Sequence, residues 1–416
     1  MTTETLTIAR LGSGGDGIAE TADGPVYVPF TLPGETVAVA RVKNHGTVMS
    51  MTVASPERVE PTCVHFGPEG KNGTCGGCTL QHAGDALYHD FKRNLVAQAL
   101  KTKGLTPEVA PLVIARPGER RRVVFTARRT EKGVLLGFNQ AGSHHIVSID
   151  HCPISSDGII SQLAAIRRVA GAIATSAEPF RVTVLETLPG LDLAFEGVKK
   201  VGDKERRAVT ECVLSLRGIA RVSSDGEILI EPQKPVIDFG GVRVAPPAGG
   251  FTQATKPAED AMAELVLTAL GKAKRVADLF AGSGTFALRI ARQAKVHAVE
   301  GDEKALKALD HAVRNTQGLK PVAVERRDLF RRPLMASELK VYDAVVFDPP
   351  RAGAEDQCKE LARSGVKTIV AVSCNPISLA RDLSILTAAG YRIRLVTPVD
   401  QFLWSAHVEA VAVLDR

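Results

Sequence analysis

Two side chains near the C-terminus are suited to work together. Cys374 ends an apolar run, "TIVAVSCNP" (368–376), and Glu409 follows His407 in the last run of the chain, "HVEAV" (407–411). A thiolate is a nucleophile and a carboxylate a general base. Methylation at C5 of a pyrimidine uses both. That carbon becomes nucleophilic once a thiolate adds at C6, and a base must then take the C5 proton so that the cysteine can leave. A thiol with an ordinary pKa of about 8.5 is scarcely ionised at neutral pH, so such a site needs donors or cations nearby. Upstream, Asp348-Pro349-Pro350-Arg351 ends a third apolar run, "DAVVF".

A methyl donor has its own signature. "ADLFAGSGTFAL" (277–288) reads as a strand, a Gly282-x-Gly284 loop and a helix. Glycines let the backbone approach a ligand closely, and a helix start offers free N–H groups to an anion. The third glycine of a dinucleotide fingerprint is missing, which disfavours nicotinamide and flavin. Asp278 before the loop, Glu300 ending the next run ("HAVEGD") and Asp328 in "RRDLF" form an ordered set of acids at successive strand ends. They fit a ligand with an amino-acid end, a ribose and an adenine: S-adenosylmethionine.

Seven cysteines is an odd number, and three of them, Cys63, Cys75 and Cys78, crowd together. Such clustering reads as metal binding or chemistry rather than as disulfides, and a C-G-G-C pair with two distant cysteines suits zinc or iron–sulfur alike. Cys212 and Cys358 read as structural. Lys plus Arg number 52 against 46 Asp plus Glu, a weak pointer to an anionic partner. Arg116, Arg120, Arg121, Arg122, Arg128 and Arg129 punctuate "RRRVVFTARR" and its flanks, and alternation along a strand would set a cationic row on one face. The N-terminus lacks a basic-then-apolar leader and no run is long enough to span a bilayer, so a soluble, cytoplasmic protein without membrane attachment is expected, as a monomer.

The elements that must position these residues fall into three parts. Residues 1–57 carry short alternating stretches between glycine-bearing turns, the pattern of a small β-barrel. Residues 58–235 hold the cysteine-rich loop, the helical pattern "DALYHDFKRNLVAQALKTKG" and several β-like runs, giving a central α+β domain. Residues 236–416 alternate strand and helix signals, which means an α/β, Rossmann-like, mostly parallel sheet with ligands at the carboxyl ends of its strands.

Taken in order, "FTQAT" (251–255), "DLFAGSGTF", "DPPRAG", "SCNP" and "HVEAV" resemble the RNA uracil-5-methyltransferase family, and the resemblance covers nearly the whole chain. It implies a class I S-adenosylmethionine-dependent fold, Cys374 as nucleophile, Glu409 as base, and Gln253, Phe280, Thr285, Glu300, Asp328 and Asp348 around cofactor and target base. The first part resembles a TRAM domain, an OB-like RNA-binding barrel. Cys63, Cys75, Cys78 and Cys152 resemble the ligands of the family's [4Fe-4S] cluster, and barrel and cluster together imply 23S ribosomal RNA as the partner, with transfer RNA second. The chain departs from the family in the long Cys63–Cys75 spacing, in Thr285 and Thr255 where asparagine is usual, and in "FLWSAHVE". A cytosine-5 enzyme would have a second cysteine where Arg351 stands. The remaining alternative is a zinc-stabilised RNA-binding protein with a degenerate methyltransferase fold.

Overall fold

The computed structural model describes residues 2–416. The apolar runs of the C-terminal part become one seven-stranded sheet, in spatial order Val322–Arg326, Lys295–Glu300, Arg275–Leu279, Ala344–Phe347, Thr368–Ser373, Glu409–Asp415 and Arg392–Val399. The first five are parallel, and Glu409–Asp415 lies antiparallel between its two neighbours. Continuous apolar strands such as "AVVF" are what a sheet covered on both faces requires. Helices Lys256–Leu270 and Glu303–Arg314 fill the core on one face, and Glu355–Ala362 and Pro376–Ala388 that on the other. Strand order reverses between Arg275–Leu279 and Ala344–Phe347, the switch point at whose carboxyl ends sheets of this kind bind ligands.

The helix after the glycine loop is short, Ala287–Ile290, flanked by turns. Arg289 explains part of this. Its buried guanidinium donates to Thr285 O (2.7 Å), Glu259 Oε1 (2.8 Å) and Asp260 Oδ1 (2.7 Å), so the segment is held by side-chain bonds to a neighbouring helix rather than by its own length.

A helix from far upstream completes the second core. Asp85–Lys101 buries Val96, Ala99 and Leu100 beside Leu383 and Val396. Beyond it, Val109 and Val113 form parallel bridges to Val396 and Val399.

The central sheet has the order Glu227–Ile230, Ile219–Ser224, Gly190–Glu196, Phe180–Thr187, Arg122–Thr130, Gly133–Asn139, Ile146–Ser148. Helices Leu163–Ile173 and Asp203–Leu214 share its core. Along Arg122–Thr130 the residues Val123, Phe125 and Ala127 point inward, and Arg122 and Arg128 fall on the other face. Arg121 does not join them: it is buried and donates to Glu259 Oε2 at 2.5 Å. A cation adjacent to a strand's end is free to turn toward a buried carboxylate, which removes it from the expected cationic row.

Residues 2–53 form a third sheet of six strands, Thr2–Thr7, Thr36–Val42, His45–Val53, Gly24–Val28, Gly17–Thr21 and Arg10–Leu11, nearly all antiparallel. Val26, Val28, Val37 and Val39 alternate inward to make its core. No helix of the described residues is long and apolar enough to cross a membrane.

Candidate active site

The glycine loop leaves the Arg275–Leu279 strand through Phe280, Gly282 and Gly284, all with positive φ. A side chain at Gly284 would bring its Cβ within 2.6 Å of Leu309 Cδ1, so close packing as well as φ requires glycine there. Glu300, at the end of the adjacent strand, grips the loop: its Oε2 accepts from Gly282 N (2.8 Å) and its Oε1 from Asp302 N (2.7 Å). Each oxygen keeps a second lone pair for a ligand hydroxyl. Asp278 is fully buried. Neither of its oxygens has a hydrogen bond of acceptable geometry, although the Ala287 amide faces them, and burial and then the Asp348 charge raise its pKa. A buried acceptor left unpaired costs about 1–3 kcal/mol, the kind of expense found where a ligand is to supply the donor.

Asp328 is exposed, its Oδ1 accepting from Phe330 N at 3.0 Å. Phe280 stacks at a tilt on Phe330, ring centroids 5.4 Å apart. Thr285 is half-buried in the turn after the loop. Thr255 caps the helix Lys256–Leu270 by accepting from Ala258 N. Asparagine and threonine are both good caps, so this departure from the family pattern preserves the local structure.

The second cluster lies at the ends of Ala344–Phe347, Thr368–Ser373 and Glu409–Asp415. Asp348, Gln253, Gln401 and Glu409 form one chain of hydrogen bonds. Gln253 Nε2 donates to Asp348 Oδ2 (3.0 Å), Gln401 Nε2 to Gln253 Oε1 (2.8 Å) and to Glu409 Oε1 (2.6 Å), and Ala254 N to Gln401 Oε1 (2.9 Å). Glu409 is buried and its Oε2 has no partner. Burial, then the Asp348 charge, raise its pKa, while Gln401, Arg351 and Lys92 oppose; burial likewise raises Asp348.

Cys374 is half-buried beside this chain, close enough to feel the charges of Glu409, Asp348 and Arg351. Burial, then the Glu409 and Asp348 carboxylates, dominate, so its thiol is pushed up to about 11. The expected depression is therefore not present in the free protein: Arg351 is the one charge that acts in that direction, aided by a backbone amide. Asn375 holds the two loops together. Its Nδ2 donates to Arg351 O (2.9 Å), while its Oδ1 caps the helix Pro376–Ala388 through Ile377 N (3.1 Å).

The four cysteines Cys63, Cys75, Cys78 and Cys152 line a single pocket with Phe138 and Ile149. Burial raises the Cys75 thiol to about 11 and lifts Cys63 and Cys78 as well, each further raised by its neighbours. Among the described residues no three His, Cys, Asp or Glu side chains are disposed to hold a single metal ion. Cys358 is fully buried under a helix and Cys212 half-buried on another, both away from this pocket.

Gln401 was not legible beforehand; its one signal is position, eight residues before Glu409 on the same returning segment. Lys92 and Asp400 were also missed. They form a fully buried ion pair (3.0 Å) behind that segment.

A sequence model of the tRNA (Uracil-5-)-methyltransferase family matches residues 243–416. The chain is 71% identical over its full length to the whole of a protein of Agrobacterium fabrum described as an RNA methyltransferase. It is 32% identical to the 23S rRNA (uracil(1939)-C(5))-methyltransferase RlmD of Chromohalobacter salexigens, over all of this chain and 90% of that one. Among solved structures, Pyrococcus abyssi tRNA (uracil-54, C5)-methyltransferase, crystallised with S-adenosyl-L-homocysteine, shares the fold with a TM-score of 0.74 over 99% of each chain at 24% identity.

Proposed function

This chain belongs to the RNA uracil-5-methyltransferase family and is an S-adenosylmethionine-dependent RNA (uracil-5-)-methyltransferase; from that premise we propose that it methylates C5 of a uridine in 23S ribosomal RNA, with Cys374 as nucleophile and Glu409 as base. The observation that carries this reading is the hydrogen-bond chain from Asp348 through Gln253 and Gln401 to Glu409, set beside Cys374 at one crevice.

S-adenosylmethionine, when bound, supplies an electrophilic methyl group. Residues that fit it are Gln253, Phe280, Thr285, Glu300, Asp328 and Asp348, and the unpaired buried carboxylate of Asp278 and the glycine loop packed against Leu309 support a ligand there. The protein's own work is on the base. Cys374 Sγ gives its proton to water and bonds to C6, and the electron pair of the C5–C6 double bond, displaced onto C5, would take the methyl group with S-adenosylhomocysteine as the leaving group. Glu409 Oε2, unpartnered because Gln401 engages Oε1, then receives the C5 proton, and the C6–S bond breaks. A carboxylate whose proton affinity is raised by burial suits that task better than an ordinary one. The target base must leave its stack to reach this crevice, which favours a looped site.

Ribosomal RNA is favoured by the 23S relative that aligns over this entire chain. Architecture is neutral, since a tRNA enzyme shares the same full-length fold. We assign residues 1–57 to a TRAM-like RNA-binding module, 58–235 to a central domain and 236–416 to the catalytic domain. The four cysteines around one apolar pocket fit a [4Fe-4S] cluster, whose ligands stand further apart than those of a single zinc ion. An iron–sulfur protein purified without oxygen is brown, whereas a zinc protein is colourless.

Glu409→Gln, incubated with S-adenosylmethionine and unmodified 23S or transfer RNA transcripts, should accumulate a covalent adduct on denaturing gels, and Cys374→Ala should form none and transfer no methyl group. Turnover by Cys374→Ala would refute the mechanism. Mass spectrometry of both RNAs from a deletion strain decides the substrate: loss of 5-methyluridine from transfer RNA alone would overturn the ribosomal assignment.

A further inference from the structure

The helix Asp85–Lys101 buries an apolar stripe: Val96, Ala99 and Leu100 pack into the core of the C-terminal sheet, and Tyr88 and Phe91 pack with Leu32 and Leu80. Lys92 sits in the middle of that stripe and is completely buried. Removing an ammonium from water costs several kcal/mol, which an ion pair seldom recovers as stability. What Lys92 gains is geometry. Its three N–H donors meet three acceptors, Asp400 Oδ1 (3.0 Å), Phe402 O (3.1 Å) and His407 O. The acceptors are the start, middle and end of one segment, 400–407.

That segment carries the active site at both of its ends. Gln401, next to Asp400, orients Glu409 and Gln253. Phe402 lies under the Arg120 guanidinium (5.6 Å), and His407 Nδ1 is 3.4 Å from Arg351 Nη1. A second tie comes from the same helix face, where Tyr88 OH donates to Asp400 Oδ2 (2.6 Å) and accepts from Trp404 N (2.7 Å). Trp404 adopts a positive φ of 56°, a conformation that an unheld loop would abandon.

We propose that Lys92 is a positioning residue for the proton abstraction that frees the methylated base from Cys374, pinning the 400–407 segment so that Gln401 presents Glu409 to the target base. The proposal rests on Glu409 being the base. Lys92 also acts on Glu409 through its charge, opposing the effects of burial and Asp348 in concert with Arg351, and Cys374 is the other titratable group on that side. Burial lowers the pKa of Lys92 itself, opposed by Asp400 and Glu409 from the C-terminal segment, and Tyr88 and His407 are the remaining titratable neighbours.

Lys92→Met keeps an unbranched side chain of similar length and removes donors and charge. In the full-length protein, single-turnover release of methylated RNA from the covalent adduct, on whichever transcript the wild type modifies, should slow by roughly 100-fold, the scale of a misplacement of about 1 Å at the reacting group. The acidic limb of the rate–pH profile should move to higher pH, because Glu409 loses a cation. Binding of S-adenosylhomocysteine should weaken by a much smaller factor than the rate, because the pinned segment reaches the cofactor residues only through the Gln401–Gln253 hydrogen bond. Loss of thermal stability with rate and pH profile unmoved would overturn the proposal. If Lys92→Met does not fold, Lys92→Gln, which keeps two donors without the charge, takes its place: a slower rate with a shifted acidic limb supports the positioning role, and an unmoved rate and pH profile overturns it. Glu409→Gln separates the two layers: no adduct there fails the base assignment, whereas an adduct there with wild-type kinetics in Lys92→Met fails the positioning role alone.

Discussion

Alkylation of Cys374 tests the electrostatics of the crevice directly. With the thiol at about 11, about one molecule in a thousand is thiolate at about pH 8, against about a quarter for an ordinary thiol near 8.5. The population deficit is thus roughly 200-fold. A more basic thiolate is also a better nucleophile, and a Brønsted slope of about 0.4–0.5 over the interval returns roughly tenfold. Iodoacetamide should therefore modify Cys374 roughly 20-fold more slowly than it modifies a small thiol at the same pH. The site-specific rate, read by peptide mass spectrometry, should still be climbing at about pH 10. Replacing Arg351 by Gln removes the one opposing cation and slows the reaction further, while Glu409→Gln removes a repelling carboxylate and speeds it. A rate that levels off at or below the ordinary thiol range, or a faster Arg351→Gln variant, would refute the reasoning. The functional implication is that the proton leaves Cys374 when the base arrives, not before.

Other perturbations are read from single contacts. Gly284→Ala meets Leu309 at 2.6 Å in a φ of +102°; a loss of about 1–3 kcal/mol in stability and weakened S-adenosylhomocysteine binding are expected by denaturant melts and calorimetry. Thr255→Ala removes the cap over Ala258 N and should cost about 1 kcal/mol, whereas Thr255→Asn should be almost neutral. The hydrogen bonds from Arg327 hold the Glu338 carboxyl well below its ordinary range, at about 2. A carboxyl depressed on folding stabilises above its unfolded pKa and loses that contribution as pH falls through the folded one. Glu338→Gln should therefore melt below wild type at neutral pH, and the gap should close progressively as the pH drops from the ordinary carboxylate range toward 2, followed by thermal melts.

The catalytic sheet was largely legible because its strands are continuous apolar runs ending in chemically distinctive residues. "DAVVFDPPR" and "TIVAVSCNP" announce both the strand and the place where it opens. What joins those ends was not legible. Gln401 bonds to residues that are near in space and far in sequence, and no local pattern marks a glutamine for that purpose. Arg121 was read as surface charge because arginine is seldom buried, and only a carboxylate from another helix, Glu259, makes its burial possible. Lys92 did leave a trace, standing four residues before Val96 on a stripe of buried side chains, but a lysine among apolar residues reads as a solvated one until its acceptors are seen. The shortness of the helix after the glycine loop was not legible, because propensity alone cannot register that Arg289 anchors the segment sideways.

The return of Val109 and Val113 onto Val396 and Val399 bears on how the molecule comes to exist. A fragment excised from residue 243 onward keeps every strand of the catalytic sheet, Cys374 and Glu409, yet leaves bare the apolar surface that Val96, Leu100 and Val109 cover. Such a fragment should associate or aggregate rather than fold alone. During synthesis the order is reversed: the helix Asp85–Lys101 emerges early with its buried lysine and its stripe unpartnered, and it must wait for nearly the last strands to be translated. Contacts spanning so much of the chain form late and slowly, so the catalytic half is the final part of the nascent protein to close.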